Sequence, residues 1–119
     1  MSGITSHVLD TSRGQPASGI EIVLERATGG NDANTDDVNW QQVGTGTTNE
    51  DGRCPGLTGE TIGAGHYRIN FLVKDYFHKL DIQAFYPVVR IEFSVDDAGQ
   101  HYHVPLLLNP FGYSTYRGS

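Results

Sequence analysis

Hydrophobic residues recur along this chain in short period-two runs, the pattern of strands with one buried face. Tyr102, Val104, Leu106 and Leu108 fall on one face of a run near the end, and His101, His103, Pro105 and Leu107 on the other. Tyr67, Ile69, Phe71 and Val73 alternate with His66, Arg68, Asn70 and Leu72. Val89, Ile91, Phe93 and Val95 alternate with Arg90, Glu92 and Ser94 inside a strand predicted over Val88–Val95. Ile20, Ile22 and Leu24 mark a strand over Ile20–Arg26. Residues 4–9 form another, with Ile4, Ser6 and Val8 opposite Thr5, His7 and Leu9. Trp40–Thr48 reads as a strand weakened by Gly44 and Gly46. Turn-forming clusters separate these runs at Asp10–Pro16, Asn49–Gly52 and Asp96–Gly99, while Ala27–Val38 is rich enough in Gly, Asn and Asp to be an exposed loop. Helical spacing occurs over Asp75–Leu80, through Tyr76, Phe77 and Leu80, a segment too short to stand without the sheets. The segment Phe111–Ser119 is expected to fold back on the last long strand through an Asn109–Gly112 turn, bringing Tyr116, Arg117 and Ser119 near His103. The prediction is an all-β antiparallel β-sandwich of seven to eight strands with one short helix.

A length of 119 residues fits a single domain over residues 1–119, able to bury roughly two-thirds of its unfolded surface. Eight basic against fourteen acidic residues leave a net charge of −6. The acidic excess lies in turn-like stretches, which argues against nucleic acid or an anionic membrane as partner, since both reward clustered Lys and Arg. One cysteine, Cys54, permits no intrachain disulfide. No run approaches the roughly twenty apolar residues of a membrane helix. The start of the chain shows no basic region followed by an apolar run, so a cytoplasmic protein is expected, with a removed leader and a periplasmic or peroxisomal site as the alternatives.

The candidate chemistry is imidazole and guanidinium. Of five histidines, His66 and His78 read as surface residues. His7, His101 and His103 lie on strands opposite apolar faces, where solvent exposure is the simplest account. Two sharper accounts are zinc binding, because an H-x-H pair projects both rings from one face, and general-base catalysis, because imidazole titrates near neutrality. Arg53 follows a Glu-Asp-Gly turn and, like Arg117, is either a surface cation or a fixed fork for a carbonyl or anion. No nucleophile elbow or nucleotide loop is present. The residues alone leave a hydrolase and a ligand-binding module both open.

Four stretches narrow this choice: Thr5-Ser6-His7-Val8-Leu9-Asp10-Thr11 with Gly14 and Pro16-Ala17; Thr48-Asn49-Glu50-Asp51-Gly52-Arg53; Phe85-Tyr86-Pro87; and His101–Ser119, which ends in Tyr116-Arg117-Gly118-Ser119. In this order they resemble the transthyretin-like family, specifically its 5-hydroxyisourate hydrolases, whose terminal tetrapeptide the hormone carriers of the same fold lack. The match runs essentially end to end. It departs in a longer Ala27–Val38 loop and in Asn109 and Phe111, where Ser and Tyr are expected.

The resemblance implies a transthyretin-like (prealbumin-like) sandwich assembled as a homotetramer, a dimer of dimers with sites at the dimer–dimer interface. It further implies hydrolysis of the small molecule 5-hydroxyisourate to 2-oxo-4-hydroxy-4-carboxy-5-ureidoimidazoline, with no metal or cofactor. By position, His7, Arg53, His103 and Ser119 match the catalytic group. Substrate would be held by His7, Arg53, Tyr116 and Arg117. The alternative from the same fold is a carrier that binds a small aromatic ligand in the tetramer channel without chemistry.

Overall fold

A computed structural model describes residues 3–28, 39–58, 63–97 and 99–118. Most of the predicted Ala27–Val38 loop, and Ser119, lie outside the described residues. The strands are β1 (Gly3–Asp10), β2 (Gln15–Pro16), β3 (Glu21–Thr28), β4 (Asn39–Thr47), β5 (Arg53–Cys54), β6 (Gly65–Leu72), β7 (Val89–Val95), β8 (His101–Asn109) and β9 (Gly112–Thr115), with one helix, α1 (Val73–Lys79). One sheet runs β2-β1-β8-β9, with β5 also paired to β1; the other runs β4-β3-β6-β7. The alternating apolar faces meet between the sheets, where Ile4, Val8, Ile22, Leu24, Ile69, Phe71, Leu106 and Leu108 are buried. The two-sheet sandwich is as predicted.

One pairing departs from the antiparallel expectation. β1 and β8 run parallel over their whole length, from Gly3 opposite His101 to Asp10 opposite Leu108. Alternation dictates which face of a strand is buried but carries nothing about partner or direction. The other ladders are antiparallel.

Three local readings also change. Val73, expected to close the β6 alternation, opens α1 instead and packs inward with Tyr76 and Phe77. Positions 73, 76 and 77 share one helical face, and that spacing overrides the strand pattern. Asn70 is buried rather than solvated; its amide donates to the Val23 carbonyl at 3.3 Å, and its Oδ1 accepts from Arg90 Nε at 2.9 Å. Gly44 and Gly46 are places of close approach more than weak points. A Cβ on Gly44 would strike the Leu57 carbonyl, and one on Gly46 would strike Cys54 Sγ. Their bareness lets the segment that begins at Arg53 lie against β4.

The turn at Asp10 ties the first sheet to α1. Its side chain is buried and accepts from Ser12 N at 3.0 Å, Ser12 Oγ at 2.6 Å and Tyr76 Oη at 2.7 Å. The Thr5–Thr11 stretch therefore has two jobs. Ser6, Val8 and Asp10 point inward to structure, and Thr5 and His7 point outward. Among the described residues no helix is long and apolar enough to cross a membrane.

Candidate active site

The outward face of the β1–β8 sheet is where the candidate side chains gather. Arg53 reaches it because the Asn49–Gly52 turn is tightly built. Asn49 Oδ1 accepts the amides of Asp51 at 2.9 Å and Arg53 at 3.1 Å, and the Gly52 amide donates to the Asn49 carbonyl at 2.9 Å. Gly52 has φ of 75°, and a side chain there would press on the Val8 carbonyl. The Val8 amide donates to the Gly52 carbonyl at 2.8 Å, which ties the turn to β1. Arg53 then pairs directly opposite His7. Opposed residues of an antiparallel pair share a face, so guanidinium and imidazole stand side by side.

His7 and His103 have different partners. His7 Nε2 lies 2.9 Å from the Asp51 carbonyl oxygen. A carbonyl only accepts, so Nε2 carries the hydrogen and the lone pair of neutral His7 is on Nδ1. His103 sits opposite Thr5 on the parallel neighbour, and its Nδ1 is 2.8 Å from Thr5 Oγ1. The same hydroxyl is 2.9 Å from His101 Nε2. Burial, followed by the charges of Arg53, His7 and His101, holds the His103 imidazole below its ordinary value. A half-buried imidazole kept neutral at pH 7 is a proton acceptor.

The three imidazoles that the sequence offers for zinc do not converge. His7 turns to a backbone carbonyl, while Thr5 separates His101 from His103. Among the described residues no group of three or more His, Cys, Asp or Glu is arranged to hold a metal ion.

The chain's end returns as expected, through the β8–β9 hairpin, with Asn109 Oδ1 accepting the Phe111 amide at 2.9 Å. The ladder lapses beyond Thr115, opposite Leu106, and resumes where Gly118 bridges His103. Pro105 lies in that gap and has no amide hydrogen to continue the ladder. Gly118 N donates to the His103 carbonyl at 2.8 Å. Register counted from either side of the gap sets Tyr116 against Pro105, and Arg117 against Val104, whose side chain faces the core. The guanidinium of Arg117 accordingly lies 4.6 Å over the Tyr102 ring and donates to Gln100 Oε1 at 2.9 Å. Within one chain, then, His7, Arg53 and His103 come together and Arg117 does not join them.

Two contributors are not set apart by the sequence pattern. Thr5 looked like an ordinary strand residue, and only the parallel register brings it to His103. Gly118 packs so closely that an added Cβ would lie 2.6 Å from His103 Cδ2. Its signal was a glycine placed inside the end motif.

These groups define a class: a β-sandwich that sets a neutral imidazole near a guanidinium, groups chemically able to accept a proton and to polarise a carbonyl. The chain belongs to the HIUase/Transthyretin family, whose family model matches residues 4–118. It is 44% identical to the 5-hydroxyisourate hydrolase of Ralstonia nicotianae, with 100% of each chain covered. The solved structure of Klebsiella pneumoniae 5-hydroxyisourate hydrolase superposes with a TM-score of 0.81 at 29% identity, covering 100% of this chain and 94% of that one. Transthyretin from Sparus aurata superposes with a TM-score of 0.84, also at 29% identity, covering 99% of this chain and 97% of that one. Fold alone does not separate hydrolase from transthyretin, so the site must.

Proposed function

We propose that this protein hydrolyses 5-hydroxyisourate to 2-oxo-4-hydroxy-4-carboxy-5-ureidoimidazoline. The observation that carries the reading is the register of β1 with its neighbours. It sets His7 opposite Arg53 and, one pleat away, ties His103 to Thr5, on a chain 44% identical to a named hydrolase. A water gives its proton to neutral His103 as its oxygen attacks the C6 carbonyl of the substrate. Charge that develops on the carbonyl oxygen is taken up by Arg53. The adjacent C–N bond then breaks, and the departing nitrogen receives the proton. His7, with its lone pair on Nδ1, helps orient the water. Ser119 and Tyr116 are assigned to the same site by the family pattern.

We also propose a homotetramer, a dimer of dimers with the histidine face at the dimer–dimer interface. Support comes from β7 and β9, each at the edge of its sheet, and from the exposed aromatics Phe85, Tyr86, Phe111 and Tyr113 near β9. Tyr86 stacks edge-on with both Phe85 and Tyr113, at 4.9 and 5.3 Å between ring centroids. Sedimentation should give four times the 13.0 kDa chain mass.

The direct test follows the ultraviolet absorbance of freshly generated 5-hydroxyisourate. Wild type should speed its decay with or without chelator, and His103→Ala should abolish the effect. Arg53→Ala should lower kcat by about 10²–10³-fold, the usual cost of losing an oxyanion donor. Decay at the spontaneous rate with wild type would overturn the hydrolase reading and leave the ligand carrier.

A further inference from the structure

Thr5 has one hydroxyl hydrogen and sits between two ring nitrogens, 2.8 Å from His103 Nδ1 and 2.9 Å from His101 Nε2. It can donate to only one of them, so it must accept from the other. The tautomers of the two histidines are therefore locked together, and the chain of bonds has two possible directions. In one, His101 Nε2–H donates to Thr5, which donates to His103 Nδ1. His103 then carries its hydrogen on Nε2 and its only lone pair is already engaged, so it can take no proton from water. In the other, His103 Nδ1–H donates to Thr5 and Thr5 donates to His101 Nε2. The lone pair on His103 Nε2 is then free.

We propose that Thr5 and His101 are positioning residues that set the second direction, holding His103 in its Nδ1–H tautomer with Nε2 open to the attacking water. This rests on the hydrolase reading for its purpose, although the tautomer itself can be measured without it. The surroundings suit the assignment. His101 is exposed, so its own Nδ1–H is satisfied by water while Nε2 accepts from Thr5. When His103 Nε2 takes a proton, the Nδ1–H to Thr5 bond is already in place and now serves a cation, so no group has to turn during the reaction. Thr5 is half-buried and has no other side-chain hydrogen bond among the described residues. A hydroxyl on a β-branched residue also has restricted χ1 freedom, which keeps the bridge in place.

The test combines ring-nitrogen NMR of 15N-histidine-labelled protein above pH 8 with steady-state kinetics. Wild-type His103 should show a protonated Nδ1 and an unprotonated Nε2. Thr5→Val preserves shape and strand preference but removes the hydroxyl. It should shift His103 toward the Nε2–H tautomer that unconstrained histidine prefers, and lower kcat by about tenfold or more with KM nearly unchanged. Thr5→Ser should restore both readouts. His101→Phe should give a mixed tautomer and a smaller loss, because water can replace the acceptor. A wild-type His103 with its hydrogen on Nε2, or a Thr5→Val protein with unchanged tautomer and unchanged kcat, would overturn the proposal. An Nδ1–H tautomer that Thr5→Val abolishes, in a protein inactive on 5-hydroxyisourate, would support the positioning role and defeat the hydrolase reading alone.

Discussion

Gly118 lies flat against the imidazole of His103, so closely that a methyl group on its α-carbon would stand 2.6 Å from Cδ2 and 3.2 Å from Cγ of the ring. The same glycine donates its amide to the His103 carbonyl. Ring and backbone of the proposed base are thus both fixed by one residue of the returning tail.

Gly118→Ala should therefore act on catalysis more than on folding. To admit the methyl, either the tail lifts or the His103 ring turns, and a displacement near 1 Å can cost about 10²-fold in rate. The expected result is a kcat lower by roughly 10–10²-fold with little change in urea midpoint, because Gly118 lies outside the core. Kinetics beside equilibrium unfolding would check this. A variant with wild-type kcat would separate the tail from the base.

The pH profile follows from His103. Burial first, and then the positive charges of His7 on β1, Arg53 on β5 and His101 on its own strand, disfavour its protonated form. The proposed mechanism needs the neutral base, so kcat/KM should hold steady above about pH 6.5, the ordinary imidazole value, and fall only below it. Arg53→Ala removes one of those charges, so its acid limb should move upward in pH. The sign for stability is the same. The folded-state value lies below the unfolded one, so the unfolded chain binds more protons in the interval between them. The His103 contribution to stability is complete above about pH 6.5 and is lost as pH falls through that interval.

Asp10 tests the structural half of the Thr5–Thr11 stretch. Asp10→Ala would leave Tyr76 Oη and the Ser12 donors without their acceptor. An unsatisfied buried hydroxyl alone costs about 1–3 kcal/mol. Urea unfolding should show a lower midpoint with unchanged slope. Since Asp10 points away from the histidine face, kcat of the folded variant should be preserved.

The sandwich was legible because Tyr102, Val104, Leu106 and Leu108, and their counterparts on β6 and β7, repeat every second residue, the pattern of strands that bury one face. The parallel β1–β8 pair was not legible, since a face pattern is blind to strand direction. Val73 misled because a strand face and a helix face can share one residue at their junction. His7 and His103 stood out as polar groups on strands where the residues alone gave no reason for imidazole, and the end motif pointed to hydrolysis. Thr5 stayed hidden because its importance exists only once the first strand and the eighth are set side by side. Arg117 illustrates the converse. The motif put it next to the site in sequence, but strand alternation turns it to the other face.

The parallel pair has a consequence for synthesis. β1 leaves the ribosome well before its long partner, which begins at His101. Contacts this distant in sequence slow folding and leave early strands waiting with an open edge. His7 and Arg53 can meet early, but Thr5 cannot reach His103 before β8 has been translated. A nascent chain halted before residue 101 therefore lacks the proposed base and the strand that carries it. The proposed site is assembled late, by a contact that spans 98 residues of chain between Thr5 and His103.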